Sequence, residues 1–350
     1  MCPDPDYNRL LTALRGGQAD RVPLLELIVD PEMRAACLGR PIQTLQDDIA
    51  FWRLAGYDCF AVYPGSPSMW FFLDEQRADT IIADAHTATG RRRWASEGRG
   101  LILDWADLER YPAPSIDDID FSTFEAAGPL LPPGMGLIGA WGDIFTYTWE
   151  AMGFTEFSYA LYERQEFVAH LFNALGRLAL QIVERMLAWE TVKAIWYSDD
   201  IAYRSGFLIS PDVYRRYLFP WLKQMGDLCR RANRPLLFHS DGVLWDVMDD
   251  LFRCGVSALH PIEPISMDIR QVKQRYGDRL AIVGNVDVDT LARGTPEQVR
   301  QQVRFLLREI APGGGYCLGS SNTVPNYARL ENYRAMVEEA RQLGRYPIRL

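Results

Sequence analysis

Short apolar runs alternate with longer amphipathic segments along the chain, most regularly from residue 136 onward. Apolar runs bounded by Gly, Pro or polar residues predict buried strands, and apolar residues three or four positions apart predict helices. The predicted strands span 22–29, 57–63, 136–141, 194–198, 235–238, 258–260, 280–284 and 316–319. The predicted helices span 7–15, 41–55, 152–163, 166–189, 210–232, 242–254, 268–276, 296–310 and 329–343. Ser210-Pro211 and Thr295-Pro296 are typical helix starts.

Eight strands separated by helices predict an α/β protein with a (β/α)₈ TIM barrel. Regular alternation of strand and helix implies a parallel sheet, and eight strands are the number that closes one into a barrel. An open doubly wound sheet is the alternative. The barrel is favoured because no Gly-x-Gly-x-x-Gly or Gly-x-x-x-x-Gly-Lys motif follows any predicted strand.

Residues 66–135 do not fit the strand and helix repeat. The segment 80–104 alternates apolar and polar residues and contains three glycines, which is typical of an antiparallel hairpin. The segment 111–133 is rich in Pro, Asp and Ser and is predicted to be a surface connection. We therefore expect a single domain, 1–350, with an inserted β-hairpin and irregular excursion at about 66–135, after the second strand.

Composition narrows the class of protein. With 37 basic and 46 acidic residues the net charge is -9, which predicts no nucleic-acid or membrane-surface partner. Apolar residues make up 48% and charged residues 24%, as is usual for a globular enzyme. Six scattered cysteines without a Cys-x-x-Cys pair suit a reducing compartment. Because no signal peptide or bilayer-length apolar run is found, we expect a cytoplasmic protein.

Polar side chains follow the predicted strands, at the carboxyl ends where a TIM barrel carries its active site. In strand order they are Glu26; Tyr63; Trp141 and Asp143; Asp199 and Asp200; His239 and Asp241; His260 and Glu263; Asn285 and Asp287; and Ser320, Ser321 and Asn322. Seven of the eight strands thus bring a group that binds a proton or a metal. These groups are the candidates for a functional site.

His239 and Asp241 are the leading pair, because residues two apart lie on the same side of an extended strand. Asp199 and Asp200 are adjacent, so at most one of them faces the barrel axis. Glu26 lies within an apolar run, where a carboxylate is unfavourable unless it is paired or binds a ligand. His260, before Pro261, is either a core residue or a pocket residue.

A histidine with several carboxylates supports two kinds of chemistry. The side chains can hold a divalent metal with an open position for substrate. Alternatively, a histidine oriented by a carboxylate moves protons near neutral pH. The residues alone leave both open. A serine nucleophile lacks support because the chain contains no Gly-x-Ser-x-Gly.

Several of these motifs, in this order and spacing, resemble the uroporphyrinogen decarboxylase superfamily. They are Asp-Arg-Val-Pro at 20–23, Ile-Ser-Pro at 209–211, His-Ser-Asp-Gly at 239–242, Ala-Leu-His-Pro-Ile-Glu-Pro at 258–264, Arg-Tyr-Gly-Asp-Arg at 275–279, Gly-Asn-Val-Asp at 284–287, Gly-Gly-Gly-Tyr at 313–316 and Ser-Ser-Asn at 320–322. The resemblance covers nearly the whole chain except 66–135 and implies a (β/α)₈ barrel.

The resemblance implies two activities. The decarboxylases act without a cofactor and use an N-terminal arginine motif and an aspartate in a Phe-Ser-Asp stretch; here the matching places read Leu24–Leu27 and Val62–Gly65. The cobamide-dependent methyltransferases hold zinc with a His-x-Cys and a later cysteine. His239 matches that histidine, Asp241 stands at the first cysteine, Ser320-Ser321 stand near the second, and Cys317 comes a few residues earlier.

We therefore expect a methyltransferase acting on a small methylated substrate or on a methyl group bound to the corrinoid of a partner protein. His239 and Asp241, with Glu26, would bind a divalent metal such as zinc, or polarise the substrate without one. Asp199 and Glu263 would handle protons or orient the ligand. The residues expected to line the substrate pocket are Tyr63, Trp141, Asn285, Ser321 and Asn322.

Two alternatives belong to other functional classes. One is a lyase, a cofactor-free decarboxylase of a uroporphyrinogen-type tetrapyrrole or another carboxylic acid. The other is a non-catalytic protein that binds a corrinoid or a tetrapyrrole. Members of the superfamily often form dimers, so the resemblance also implies a homodimer.

Overall fold

A seven-stranded parallel sheet forms the centre of the computed structural model, which describes residues 4–66, 81–83, 91–93 and 100–350. The strands of the described chain are β1 Cys59–Val62, β2 Ile81–Ala83, β3 Arg91–Arg93, β4 Gly136–Gly142, β5 Val192–Ser198, β6 Ala202–Tyr203, β7 Gly206–Phe207, β8 Leu236–His239, β9 Ala258–His260, β10 Ala281–Val283 and β11 Tyr316–Cys317. The order in the sheet is β1-β4-β5-β8-β9-β10-β11. Neighbours in the sheet follow one another in the chain apart from the short hairpins, as strand and helix alternation predicts.

The predicted first strand, 22–29, is present as isolated parallel bridges. Leu24 pairs with Leu318 and Val29 with Val324, so the segment lies beside β11 at the edge of the sheet. Pro23 has no N–H to donate, although its carbonyl accepts the N–H of Leu318 at 2.9 Å. The segment therefore extends the sheet without forming a continuous ladder.

Two apolar layers enclose the sheet, because successive side chains of a strand point to opposite faces. The inner layer takes buried residues from every strand of the seven-stranded sheet, from 22–29 and from the first helix: Leu10, Ala13, Leu14, Leu25, Leu27, Cys59, Ile138, Ala140, Ala194, Trp196, Leu237, Ala258, Ala281, Val283 and Cys317. The opposite faces of the strands pack against the helices. This arrangement is TIM-barrel-like, since such a barrel has a side-chain core within a helix layer.

Helices connect the strands. Their bounds are α1 Tyr7–Leu14, α2 Pro31–Leu38, α3 Leu45–Ala55, α4 Trp105–Arg110, α5 Ser122–Ala127, α6 Ile144–Met152, α7 Phe154–Glu163, α8 Gln165–Leu187, α9 Pro211–Val213, α10 Phe219–Arg231, α11 Met248–Arg253, α12 Ile269–Tyr276, α13 Val288–Arg293, α14 Pro296–Glu309 and α15 Leu330–Leu343. Short 3₁₀ turns span Ile116–Asp118 and Trp245–Val247, and a π-turn spans Tyr214–Leu218. None of the described helices has the length and apolarity needed to cross a bilayer.

The predicted helix starts are confirmed by their caps. Ser210 accepts the N–H of Asp212, and Thr295 and Gln298 form a capping box. The predicted helix 210–232 is divided by the π-turn before α10, near Pro220, which has no N–H for the helical ladder. The helix α2 was not predicted because its eight residues bury only Met33 and show little amphipathic pattern.

Part of the excursion after β1 can be compared with its prediction. Residues 81–83 pair antiparallel with 91–93, inside the segment predicted to form a hairpin. Residues 67–80, 84–90 and 94–99 lie outside the described residues. The segment 111–133 contains α5, whose Phe124 and Ala127 are buried, so it is not only a surface connection. A single domain with an insertion at 66–135 stays a prediction.

Candidate functional site

Three side chains at the carboxyl ends of neighbouring strands form a group with metal-ligand geometry. Asp200, His239 and Asp241 each offer a ligand atom, and these atoms lie within 4.8 Å of one another. Ser198 of β5 pairs in register with His239 of β8, which brings Asp200 beside the histidine. In the described part of the chain no other three His, Cys, Asp or Glu residues meet this condition.

His239 is buried, with 6% of its surface exposed, and both of its ring nitrogens face polar groups. Its Nδ1 lies 2.8 Å from Nδ1 of His260, which is its register partner on β9. Its Nε2 lies 3.7 Å from Oδ1 of Asp200. Burial lowers the pKa of His239, although the charge of Asp200 opposes this. Burial and the neighbouring His239 lower the pKa of His260 well below its usual value.

Asp241 has one bonded and one unbonded carboxylate oxygen. Its Oδ2 accepts a hydrogen bond from Nδ2 of Asn322 at 2.6 Å. Its Oδ1 is buried and accepts none from the described residues. Burial and the charges of Asp200 and Glu263 raise the pKa of Asp241 to about 7. A buried oxygen without a partner needs a compensating cation, water or ligand group.

Asp199 and Asp200 lie in different surroundings, and Asp199 is the one that was predicted to handle protons or orient the ligand. Fully buried Asp199 accepts hydrogen bonds from the backbone N–H groups of Phe145 and Thr146 at 2.8 and 3.0 Å, from Thr146 Oγ1 at 2.9 Å and from the Tyr197 hydroxyl at 2.7 Å. Burial raises its pKa to about 6 against the effect of these bonds. Asp199 thus binds the N-terminus of α6, while Asp200 faces His239.

Glu26 also differs from the prediction that it is a metal ligand. Both of its oxygens accept hydrogen bonds from Ser320, Oε1 from the backbone N–H at 2.7 Å and Oε2 from the hydroxyl at 2.6 Å. It is completely buried, and burial raises its pKa to about 8. Because Ser320 already occupies both oxygens, Asp200 rather than Glu26 completes the group with His239 and Asp241.

A cavity of about 630 Å³ opens beside Asp241. Its lining includes Asp30, Asp241, Glu263, Pro264, Ile265, Asp287, Val288, Asp289, Ser321, Asn322, Thr323, Pro325, Asn326 and Tyr327. Five of these residues are acidic, and no described Lys or Arg lines the cavity. Glu263 is anchored at the rim, since its Oε2 accepts the N–H of Gly242 at 3.0 Å and the hydroxyl of Ser266 at 2.6 Å.

Four of the predicted site residues line this cavity, namely Asp241, Glu263, Ser321 and Asn322. Asn285 does not; its side-chain amide binds the backbone N–H and carbonyl of Ile262, and it lines a neighbouring cavity of about 530 Å³. Trp141 is buried at the end of β4. Tyr63 follows β1 and is 39% exposed.

His260 and Asp143 lie close to the group of three possible ligands. His260 bonds to His239, and its position directly opposite in the next strand could have indicated this contact. Asp143 follows β4 in a left-handed conformation with φ 69° and does not use its side chain to cap α6. Burial and the charges of Asp199 and Asp200 raise the pKa of Asp143 well above its usual value. Its position after a strand was the only sequence signal for it.

The cysteine near the end of the last strand does not join the group. Cys317 lies on β11 in the inner apolar layer, fully buried together with Cys59. Burial raises the pKa of its thiol, so it is not a ready thiolate. The donors gathered at the strand ends are therefore one imidazole and two carboxylates.

Residues 101–343 match the family model described as Uroporphyrinogen decarboxylase (URO-D). The chain belongs to the uroporphyrinogen decarboxylase family. A uroporphyrinogen decarboxylase of Alkalilimnicola ehrlichii is 24% identical over 363 aligned positions, covering 96% of this chain and 94% of that protein. The enzyme of the same name from Neisseria meningitidis serogroup C is 21% identical over 294 positions, covering 79% of this chain and 80% of the relative.

Two further similar proteins are a relative that matches only part of the chain and a solved structure with a different named activity. A uroporphyrinogen decarboxylase of Coxiella burnetii is 28% identical over 138 residues, which is 38% of this chain and 37% of that relative's length. A solved methyltransferase from Methanosarcina mazei has a TM-score of 0.70 at 18% identity, covering 97% of this chain and 99% of that one. This structural similarity shows the shared fold. Enzymes named for either activity are thus similar to the chain.

Proposed function

We propose that this member of the uroporphyrinogen decarboxylase family is a methyltransferase with a divalent-cation site at Asp200, His239 and Asp241. The substrate is a small methylated molecule or a corrinoid-bound methyl group, which enters the cavity beside Asp241. The observation that carries the proposal is the convergence of three ligand atoms within 4.8 Å at adjacent strand ends. The TIM-barrel-like fold supports it, because the carboxyl ends of barrel strands are where such enzymes work.

The residues present fit a divalent cation. One imidazole nitrogen and two carboxylates are a common protein donor set that leaves positions open for substrate. The buried, unbonded Oδ1 of Asp241 is the atom that a cation would compensate. A thiolate-rich zinc site does not fit, since no described cysteine lies in the group. A cation held here supplies Lewis-acid chemistry to a substrate atom.

The chain's own residues prepare this site in three ways. Asn322 fixes the carboxylate of Asp241 through its side-chain amide at 2.6 Å. Glu263 accepts the N–H of Gly242 at 3.0 Å and so holds the turn that follows Asp241. Since the pKa of Asp241 is about 7, its carboxyl group can also hold or release a proton when it binds no cation.

Decarboxylation of an anionic tetrapyrrole is the second candidate, because curated relatives carry that name. The charge of the site opposes it. Five carboxylates and no described Lys or Arg line the cavity, so a substrate with many carboxylates would be repelled. The corrinoid protein partner, the homodimer, the cytoplasmic location and the non-catalytic alternative stay predictions.

The proposal is tested by the cation content of protein purified without chelator and by its activity. We expect a divalent cation to co-purify with the wild type and with His170→Ala, a matched control on the exposed side of α8. We expect the cation to be lost from His239→Ala. Methyl-transfer assays with corrinoid and small methyl donors should then show activity only in the cation-bound proteins. Equally low cation content in all three proteins, or enzymatic turnover of uroporphyrinogen, would overturn the proposal.

A further inference from the structure

A buried pair of histidines lies behind the candidate cation site. His239 is 6% exposed and His260 is 0% exposed, and their Nδ1 atoms are 2.8 Å apart. The rings of Trp196 and His260 pack nearly perpendicular to one another, with ring centroids 5.0 Å apart. The contact follows from strand register, because the two histidines are paired residues of β8 and β9. Neighbouring strands and the core therefore fix both rings.

A hydrogen bond between two Nδ1 atoms requires that one ring donates and the other accepts. A neutral imidazole carries its single ring proton on one nitrogen and a lone pair on the other. If His239 donates from Nδ1, its Nε2 bears a lone pair. If His260 donates instead, Nε2 of His239 carries a hydrogen. The position of one proton in the pair thus decides what His239 presents to Asp200.

Only one of the two arrangements permits a cation beside His239. A metal binds the lone pair of a neutral imidazole nitrogen, and the tautomer is set by the bond that the other nitrogen makes. Nε2 lies 3.7 Å from Oδ1 of Asp200, whereas Nδ1 faces His260, so Nε2 is the nitrogen that His239 can offer to the group of three ligand atoms. Binding at Nε2 therefore requires that His239 donates from Nδ1 and that His260 accepts.

We propose that His260 is a positioning residue that accepts the Nδ1–H of His239 and so directs a lone pair of Nε2 toward a divalent cation held with Asp200 and Asp241. This inference rests on the proposed function. His260 is not one of the three residues whose ligand atoms converge, and its Nδ1 faces His239. It acts by fixing the ring orientation and the tautomer of the ligand.

The tautomers can be measured directly in the wild-type protein. The chain contains four histidines, so ¹⁵N-histidine labelling gives a spectrum that single substitutions can assign. In Zn²⁺-loaded protein we expect hydrogen on Nδ1 of His239, none on Nδ1 of His260, and a coupling across the Nδ1–H···Nδ1 bond. A hydrogen on Nε2 of His239 in the loaded protein, or the lack of a coupling between the rings, would overturn the inference.

Zn²⁺ affinity provides the second test. We expect His260→Leu to weaken Zn²⁺ binding about 10- to 100-fold, the usual effect of losing such a partner. His260→Asn should recover part of the affinity, because its side chain keeps an acceptor near the Nδ1 position. His170→Leu is the control, and the fold of each variant is checked by circular dichroism.

The outcomes separate the inference from the proposed function. If the wild type binds no Zn²⁺, the proposed function fails and this inference fails with it. If the wild type binds Zn²⁺ and a folded His260→Leu binds it equally well, the inference alone fails. Because the tautomer measurement uses the wild type, it decides the question even if His260→Leu does not fold.

Discussion

Asp199 and Asp200 show how neighbouring residues of one type take different roles. The sequence predicted that at most one of them faces the axis, because adjacent side chains of a strand alternate. It assigned the site role to Asp199. The feature that decides between the two residues, the N-terminus of α6, comes from a different part of the chain and gives no local signal. The four donors around Asp199 explain the outcome, and none of them is visible as a local motif.

We expect Asp199→Ala to destabilise the protein by about 2 kcal/mol, because it removes a helix cap and leaves buried donors unpaired. Asp200→Ala removes an exposed side chain and should change the free energy of unfolding by less than about 0.5 kcal/mol. Urea unfolding measures both. Asp199→Asn is the control and should lose less than the alanine variant. Equal destabilisation by the two alanine variants would contradict the assigned roles.

Glu26 makes the stability of the protein dependent on pH. Its pKa in the folded protein is about 8, above the value of about 4.3 for an unperturbed glutamate. The folded state therefore holds an extra proton between these values, so this contribution to stability is complete at low pH and is lost as pH rises toward 8.

The matching experiment compares wild type with Glu26→Gln, which stays neutral. We expect the free energy of unfolding of the wild type to fall relative to the variant by up to about 1.4 kcal/mol per pH unit between pH 5 and pH 8. Urea unfolding at both pH values measures the difference. A difference that does not change with pH would show that the buried carboxyl group titrates normally.

At the scale of elements, the strands of the seven-stranded sheet from β4 onward were predicted within one or two residues, whereas the short hairpin of β6 and β7 was not predicted. Each of these sheet strands is an apolar run with a clear stop, as at His239 and His260. The first predicted strand, 22–29, forms only isolated bridges because Pro23 interrupts the ladder. The helices α2, α4, α5, α6 and α13 were not predicted, and each of them has nine residues or fewer. Local patterns therefore located the main strands, while short elements depended on tertiary contacts.

The contact between β4 and β5 gives a test of strand packing. A methyl group added at Gly142 would lie 1.8 Å from the carbonyl oxygen of Ser198, which is backbone and cannot move aside. We expect Gly142→Ala to destabilise the protein by about 2 kcal/mol or more.

Gly128→Ala is the matched control for this substitution. The nearest atom to an added methyl group there is Cγ2 of Thr191 at 4.0 Å, and the backbone is already helical. We expect no loss of stability at Gly128, and thermal unfolding of both variants measures the contrast. Similar melting temperatures for the two would mean that β4 and β5 are not so closely apposed.

At the scale of the whole molecule, the sequence motifs indicated the family, whereas the folded structure was needed to locate the site. The resemblance seen in the sequence is confirmed by the family match over residues 101–343. The sequence identified His239 and Asp241 and placed Asp200 among the strand-end candidates, but it chose Asp199 over Asp200 and did not reveal the acidic cavity. Residues far apart in the chain, such as Asp30 and Asp289, meet only after folding. The charge of this cavity is the reason why we propose methyl transfer rather than decarboxylation of a tetrapyrrole.

The most direct measurement is X-ray absorption at the zinc edge of protein loaded with Zn²⁺, compared with His239→Ala. We expect a shell of nitrogen and oxygen at about 2.0–2.2 Å with imidazole scattering, and no sulfur shell at about 2.3 Å. The imidazole signal and tight Zn²⁺ uptake should both disappear in His239→Ala. A sulfur shell, or the same spectrum from both proteins, would contradict a cation site formed by Asp200, His239 and Asp241.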